Sequence, residues 1–503
     1  MKPMSNRDRK SDGPIVPRKQ SNKELASTDS AENVEGRGST KRKERQLDTG
    51  QTQRWVTVQS KLALLHQKAR GDKRLRFNAL MHHVWNPVVL EHAYRNIKGS
   101  ASPGIDGQTY VSYGAKLSEN LANLSERLRR GGYKAKPVRR VYIPKSDGKK
   151  RPLGIPVLED KIVQRAVTMV LNTIYEADFQ GFSYGFRPRR SQHQALDALY
   201  VGLMTRRVRW ILDADIQNFF GQVNHEWLIR FMEHRIADTR ILRLILKWLK
   251  AGVMEEGVIT QAEEGTPQGG SISPLLANIY LHYVVDLWTQ QWRKKKAQSE
   301  MVIVRYADDT VMGFQFKQDA DSYLAGLKER LAQFGLSLHA EKTRMLEFGR
   351  YAAMNRKDRG QGKPETFDFL GFTHICGKNR RGEFTIIRHT IKKRMRAKVL
   401  QIKRELNKRM HSKIPETGVW LISVLNGYYR YYGVSGNTAT LAQFRHQVFM
   451  RWFNVLKRRS QRRTLTWKDM SRFAKQWLPL PKVYHAHPLE RFGVITQGRS
   501  RMR

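Results

Sequence analysis

Asp308 and Asp309 stand side by side between two β-rich runs, Met301-Val302-Ile303-Val304 before them and Val311-Met312 after. This spacing puts two acidic residues into a tight turn between strands. Adjacent carboxylates repel, and a turn needs only one Asp for its own hydrogen bonding. A divalent cation removes that cost. Mg2+ prefers a few carboxylate oxygens together with substrate phosphates, and two such ions roughly 3.5–4 Å apart can clamp an in-line phosphoryl displacement. An Asp-Asp turn alone is ordinary, but a third carboxylate narrows the choice. The strand Trp210–Ala214 runs into Asp215, with Asp213 on the same face two residues earlier. Spacing alone does not choose between Asp213 and Asp215.

Charge supplies the second constraint. Lys and Arg number 92 against 45 acidic residues in 503, a formal +47. Such an excess would self-repel in a folded chain unless a polyanion neutralised it, so nucleic acid is the expected partner. Hydrophobic residues at 40% are ample for packed cores. A single cysteine, Cys376, excludes a disulfide framework or multi-Cys zinc site and suggests a reducing, cytoplasmic setting. No signal peptide and no membrane span is expected, since the first apolar cluster after Met1 is only Ile15-Val16.

The pattern along the chain predicts an α+β fold in four parts. Residues 1–54 read as a disordered basic arm, with no aromatic residue before Trp55. Over 55–385 helices and strands alternate. Val141-Tyr142-Ile143 and Leu153-Gly154-Ile155 flank Ser146-Asp147-Gly148 as a hairpin. Ile162, Ala166, Val170 and Ile174 recur at helical spacing, and Ser191 reads as the N-cap of the helix after it. Further helices are expected over Ile241–Leu249 and Leu275–Trp288, and another ends at Gly335. Residues 386–455 read as helical, with Ile391, Met395, Val399, Ile402, Leu406 and Met410 on one face and Lys392, Lys393, Arg394, Arg396, Lys403 and Arg404 on the other. Residues 456–503 form a basic segment suited to DNA binding. From 391 on, 26 Lys and Arg face four acidic residues, a net of +22, with fourteen aromatics interleaved. Many of these rings must be core, yet base stacking around Tyr428–Tyr432 is a serious alternative.

The run Leu212-Asp213-Ala214-Asp215-Ile216-Gln217-Asn218-Phe219-Phe220 resembles the first palm motif of reverse transcriptases, and Tyr306-Ala307-Asp308-Asp309 resembles the second. In order along the chain, further motifs are similar to group II intron-encoded reverse transcriptases, or maturases. They are Ser102–Gly107, Tyr142–Lys145 with Lys150–Pro156, Ser183–Pro188, Gly265–Leu275, Gly335–Leu338 with Glu341–Thr343, and Phe369–Phe372. Gly427–Tyr432 resembles the family's maturase segment, which follows the polymerase as its thumb.

The resemblance implies a right-hand polymerase of fingers, palm and thumb. It implies that the chain binds structured intron RNA or another RNA template, assists splicing, and extends a DNA primer or target with deoxynucleoside triphosphates. It selects Asp215 over Asp213, placing metal contacts at Asp215, Ile216, Asp308 and Asp309. One Mg2+ would lower the pKa of an attacking 3′-hydroxyl and the other stabilise the pyrophosphate leaving group. Phe220 falls at the aromatic position that excludes a 2′-hydroxyl. Arg151, with Lys150 or Lys149, falls where cationic groups meet the triphosphate. Gln268 and Tyr306 fall beside the incoming nucleotide, and Lys342 at a candidate proton donor to pyrophosphate. Without the resemblance, Phe220 and Tyr306 would read as core. The sequence departs from the family at Gly221, where an acidic residue is usual, and in lacking the Cys-rich nuclease module. Two other readings are a splicing-only RNA-binding maturase and a domesticated relative serving defence or DNA repair.

Overall fold

The computed structural model describes residues 49–144, 150–255, 258–260, 265, 269–459 and 465–491. Its centre is a four-stranded antiparallel sheet in the order β6-β7-β3-β8. Here β3 is Trp210–Asp215, β6 Val302–Tyr306, β7 Asp309–Phe314 and β8 Arg344–Glu347. Side chains alternate across this sheet. Leu212, Ala214, Ile303, Met312 and Phe314 join one core, while Ile211, Val302, Val304, Val311 and Leu346 join another. Val302-Ile303-Val304 is therefore continuously apolar because its strand is covered on both faces. The first core is shared with the helices Leu158–Tyr175, Ser273–Leu281 and Lys317–Ala332. The second is shared with the helix Gln192–Thr205 and with a three-stranded sheet, β11-β10-β9. That sheet comprises β9 Phe367–Phe369, β10 Phe372–Lys378 and β11 Phe384–Thr390.

A second four-stranded sheet, β2-β1-β4-β5, holds the expected hairpin. Val138–Pro144 (β1) pairs antiparallel with Lys150–Ile155 (β2), and β4 (Val253–Glu255) and β5 (Val258–Thr260) extend it. The Asp147-Gly148 turn lies outside the described residues.

Several expected elements take a different extent. The helix after Ser191 carries the expected cap, with the Ser191 hydroxyl accepting from Gln194 N. The helix Leu158–Tyr175 buries Val163, Val167 and Leu171 besides the expected stripe, because neighbours pack on more than one of its sides. The stretch expected as one helix over Leu275–Trp288 is interrupted by a π turn, His282–Asp286, then continues as Leu287–Lys295. The extra residue in such a turn rotates the helix face, and Asp286 is fully buried there.

The four-part division does not follow the elements. Its first boundary falls inside the helix Thr49–Gly71, its second inside β11, and its third inside the helix Thr438–Lys457. Residues 1–48 lie outside the described residues. The helices Lys392–Lys408, Ile414–Tyr432, Thr438–Lys457 and Trp467–Trp477 enclose one core, in which Met470, Ala474 and Leu478 join Val399, Ile402 and Leu406. The basic segment from 456 onward thus contributes a helix to the same core as 392–457, because its amphipathic pattern needs an apolar partner. Tyr428 and Tyr429 also belong to this core at 7% and 0% exposure, with the Tyr428 ring 3.7 Å from that of Phe444. These two rings are packing residues, so base stacking is excluded for them. No described helix is long and apolar enough to cross a membrane.

Candidate active site

The register of the central sheet builds the site. β3 pairs with β7 so that Asp215 lies opposite Asp309 and Asp213 opposite Val311. Asp308 sits in the two-residue turn between β6 and β7. Three carboxylates thus meet at one end of the sheet. Asp213 lies further in, 3.9 Å from Arg344. Burial pushes its carboxyl up to about 7, with Arg344 opposing and Asp215 adding to the shift. Burial likewise raises Asp308, and it raises Asp309 well above the ordinary carboxylate range, reinforced by the charges of Asp213, Asp308 and Asp215. Crowded, half-buried carboxylates are the expected signature of a cation-binding end.

Among the described residues no group of three His, Cys, Asp or Glu could by itself hold a metal ion. Mg2+ rarely relies on such a group, taking one or two carboxylates and completing its shell with waters and substrate phosphates. The donor chemistry therefore fits. Ile216 can offer only its carbonyl. It is held by a bridge to Leu338, with Gln217 N donating to Ser337 O and His339 N donating to Asp215 O, both at 2.8 Å.

Lys342 reaches the same end of the sheet, its Nζ donating to Asp215 Oδ2 at 2.7 Å. Arg151 pairs in register with Ile143 on the β1–β2 hairpin and acts electrostatically on Asp308. Lys150 lies beside it, with Nζ 6.0 Å from the Tyr142 ring centroid. Phe220 is half-buried against the first core, edge-on to Phe219 at 5.4 Å. Tyr306 is half-buried against the second core. Gln268 and Lys149 lie outside the described residues. The glycines flanking Gln268 are informative, however. A Cβ at Gly265 would press on Phe220 O at 3.0 Å, and one at Gly269 would meet Gly154 O of β2 at 2.5 Å. Both have positive φ, so glycine suits each of these two positions. At Gly221 a Cβ would run into the Asn218 side chain, 2.5 Å from its Nδ2.

Sequence reasoning missed the network beneath the turn. Arg305 is 1% exposed, yet all five of its N–H donors are used. Nε and Nη2 hold Asp286 Oδ1 and Oδ2 at 2.7 and 2.5 Å, Nη1 donates to Asn278 Oδ1 and Ala307 O, and Nη2 also donates to Ser183 Oγ. Ala307 takes a left-handed conformation, φ +57°, and Arg305 fixes its carbonyl. Gly185 packs so closely on Ala307 N that any Cβ would collide, and its carbonyl accepts from Asn278 Nδ2 at 2.7 Å. A lone Arg after Val302-Ile303-Val304, in a doubly covered strand, was the available signal. Its partners lie 19, 27 and 122 residues away and carry no local pattern.

Residues 143–374 match the family described as reverse transcriptase (RNA-dependent DNA polymerase). Protein YkfC of Escherichia coli (strain K12) is 36% identical over 340 residues, 63% of this chain and 88% of that protein. Group II intron-encoded protein LtrA of Lactococcus lactis subsp. cremoris is 40% identical over 213 residues, 41% of this chain and 34% of LtrA. Nuclear intron maturase 3, mitochondrial, of Arabidopsis thaliana is 26% identical over 235 residues, 46% of this chain and 31% of the maturase. The chain thus spans about a third of each of these last two relatives. Three carboxylates at the end of a central sheet, with these likenesses around them, mean that the chain belongs to the group II intron-encoded reverse transcriptase family, whose chemistry is metal-dependent RNA-directed DNA synthesis.

Proposed function

We propose that this protein binds an intron RNA, assists its splicing, and copies it into DNA with Mg2+ held by Asp215, Asp308 and Asp309. The observation that carries this reading is the register that sets Asp215 against Asp309 beside the Asp308 turn. In this reading the central sheet is the palm, the β1–β2 hairpin belongs to the fingers, and the helices from Lys392 onward are the thumb. Mg2+ would supply charge neutralisation at the 3′-hydroxyl and at the departing pyrophosphate. Arg151 and Lys150 present cationic donors to the triphosphate. Phe220 closes the space beside the sugar, favouring deoxynucleotides. Lys342 exchanges its contact with Asp215 for one with pyrophosphate, to which its Nζ can give a proton. A splicing-only reading would sit best with a broken carboxylate turn, and here Asp308 and Asp309 are both in place.

The test is primer extension on an RNA template with Mg2+. Asp308→Ala should abolish extension while leaving the fold and RNA binding intact. Full extension by that variant would overturn the assignment of the site.

A further inference from the structure

From Phe182 to Arg187 every residue is buried except one. Phe186 is 40% exposed, whereas Tyr184 and Arg187 on either side are at 1% and 6%. Phe186 also takes a left-handed backbone conformation, φ +55°, which a bulky side chain rarely adopts. A strained residue persists only where its surroundings over-determine it, and such residues gather at sites of function. Here the surroundings are explicit. Tyr184 N donates to Arg305 O and Arg305 N to Phe182 O, at 2.8 and 2.9 Å. Arg187 holds both oxygens of Glu176 at 2.9 Å and donates to Gln180 O and Ser183 O at 2.7 and 2.8 Å. Between these anchors Gly185 abuts Ala307, the residue before Asp308. The loop is therefore fastened to the carboxylate turn, and it leaves one apolar ring in solvent, 6.1 Å from the Tyr306 ring.

We propose that Phe186 is a positioning contact for the template–primer duplex, its ring lying against the sugar and base edges of the base pair at the growing end. This rests on the polymerase reading of the same site. Bond formation at Asp215, Asp308 and Asp309 brings the last base pair against the turn to which the Phe186 loop is tied. In a chain of net charge +47, cations are plentiful for phosphates, but an uncharged ring offers them nothing. Its complement is the apolar part of a nucleotide, and every nucleotide presents one, so the contact tolerates any sequence. Holding the terminal pair keeps the 3′-hydroxyl in line with the nucleotide it attacks, a matter of fractions of an ångström.

The test uses the full chain with Phe186→Gly, Phe186→Ala and Phe186→Tyr in single-nucleotide extension. Gly and Ala should both lower kcat by about 10–100-fold, with the KM for nucleotide and the affinity for template–primer little changed. Tyr should restore most of the rate. Phe186→Gly should melt at a higher temperature than Phe186→Ala, because only glycine is at ease at this φ. Wild-type kcat in both the Gly and Ala variants would overturn the proposal, as would a kcat loss that merely follows a fall in the folded fraction. If the wild-type chain itself extends no primer, the polymerase reading fails instead.

Discussion

The carboxylate end of the central sheet and the helix Lys392–Lys408 both concentrate like charges, but they hold them in opposite ways. At the sheet end Asp213, Asp308 and Asp309 are half-buried and mutually repelling, and burial raises the pKa of each. Along the helix Lys392, Lys393, Arg394 and Arg396 stand exposed, while Met395, Val399, Ile402 and Leu406 pack inward. Solvent screens the second arrangement at little cost to folding. Water cannot do so for the first, so it survives only because a buried scaffold, centred on Arg305, holds it. Crowded buried charge is therefore the stronger pointer to chemistry, and spread surface charge the weaker one. Arg394 joins the two, since its charge partly offsets the upward shift of Asp309.

Three experiments put this contrast at risk, and the scaffold should respond most. Arg305→Met leaves Asp286 buried without its cation, which should cost about 3–5 kcal/mol. Adding Asp286→Leu should recover much of the stability but not the extension rate, because the Ala307 carbonyl stays unheld. Denaturant unfolding and primer extension on the same samples measure both, and recovery of the rate would show that Arg305 serves the fold alone.

A more modest change of opposite sign is expected at the carboxylates. Asp309→Asn removes one of the crowded charges, so the metal-free protein should gain about 1–2 kcal/mol while losing extension. A melting temperature below wild type would mean that the carboxylates are not in conflict, and the contrast with the helix would fall.

At the helix, stability should hardly move. Converting Lys392, Lys393, Arg394 and Arg396 to Gln should leave melting nearly unchanged. If the helix grips phosphates, the salt dependence of RNA affinity should flatten by roughly 0.7–0.9 for each phosphate that the variant no longer neutralises. An unchanged slope would show that these cations only solvate the helix.

Local pattern made much of the molecule legible. The apolar run before Tyr306 marked a strand, Ser191 marked a helix start, and the stripe from Met395 to Leu406 marked a buried face. The boundaries were less legible, because charge and aromatic content change gradually where helices do not. The helix Thr438–Lys457 continues through 455, and Trp467–Trp477 returns to the same core. The aromatic cluster misled for a related reason. A ring has the same letter in a core as on a stacking surface, and Tyr428 is fixed by Phe444 from a different helix.

The carboxylates, the strands that carry them and the family they mark could be read from the chain alone, since all of these are written in short runs with their own periodicity. That Asp215 faces Asp309, that Lys342 bonds to Asp215, and that Arg305 closes over Asp286, Asn278 and Ser183 was settled only by folding. The side-chain bonds among these join residues from 19 to 127 positions apart. They follow from strand register and from the π turn that swings Asp286 inward, and a one-residue slip in either would leave the sequence motifs intact and the site undone.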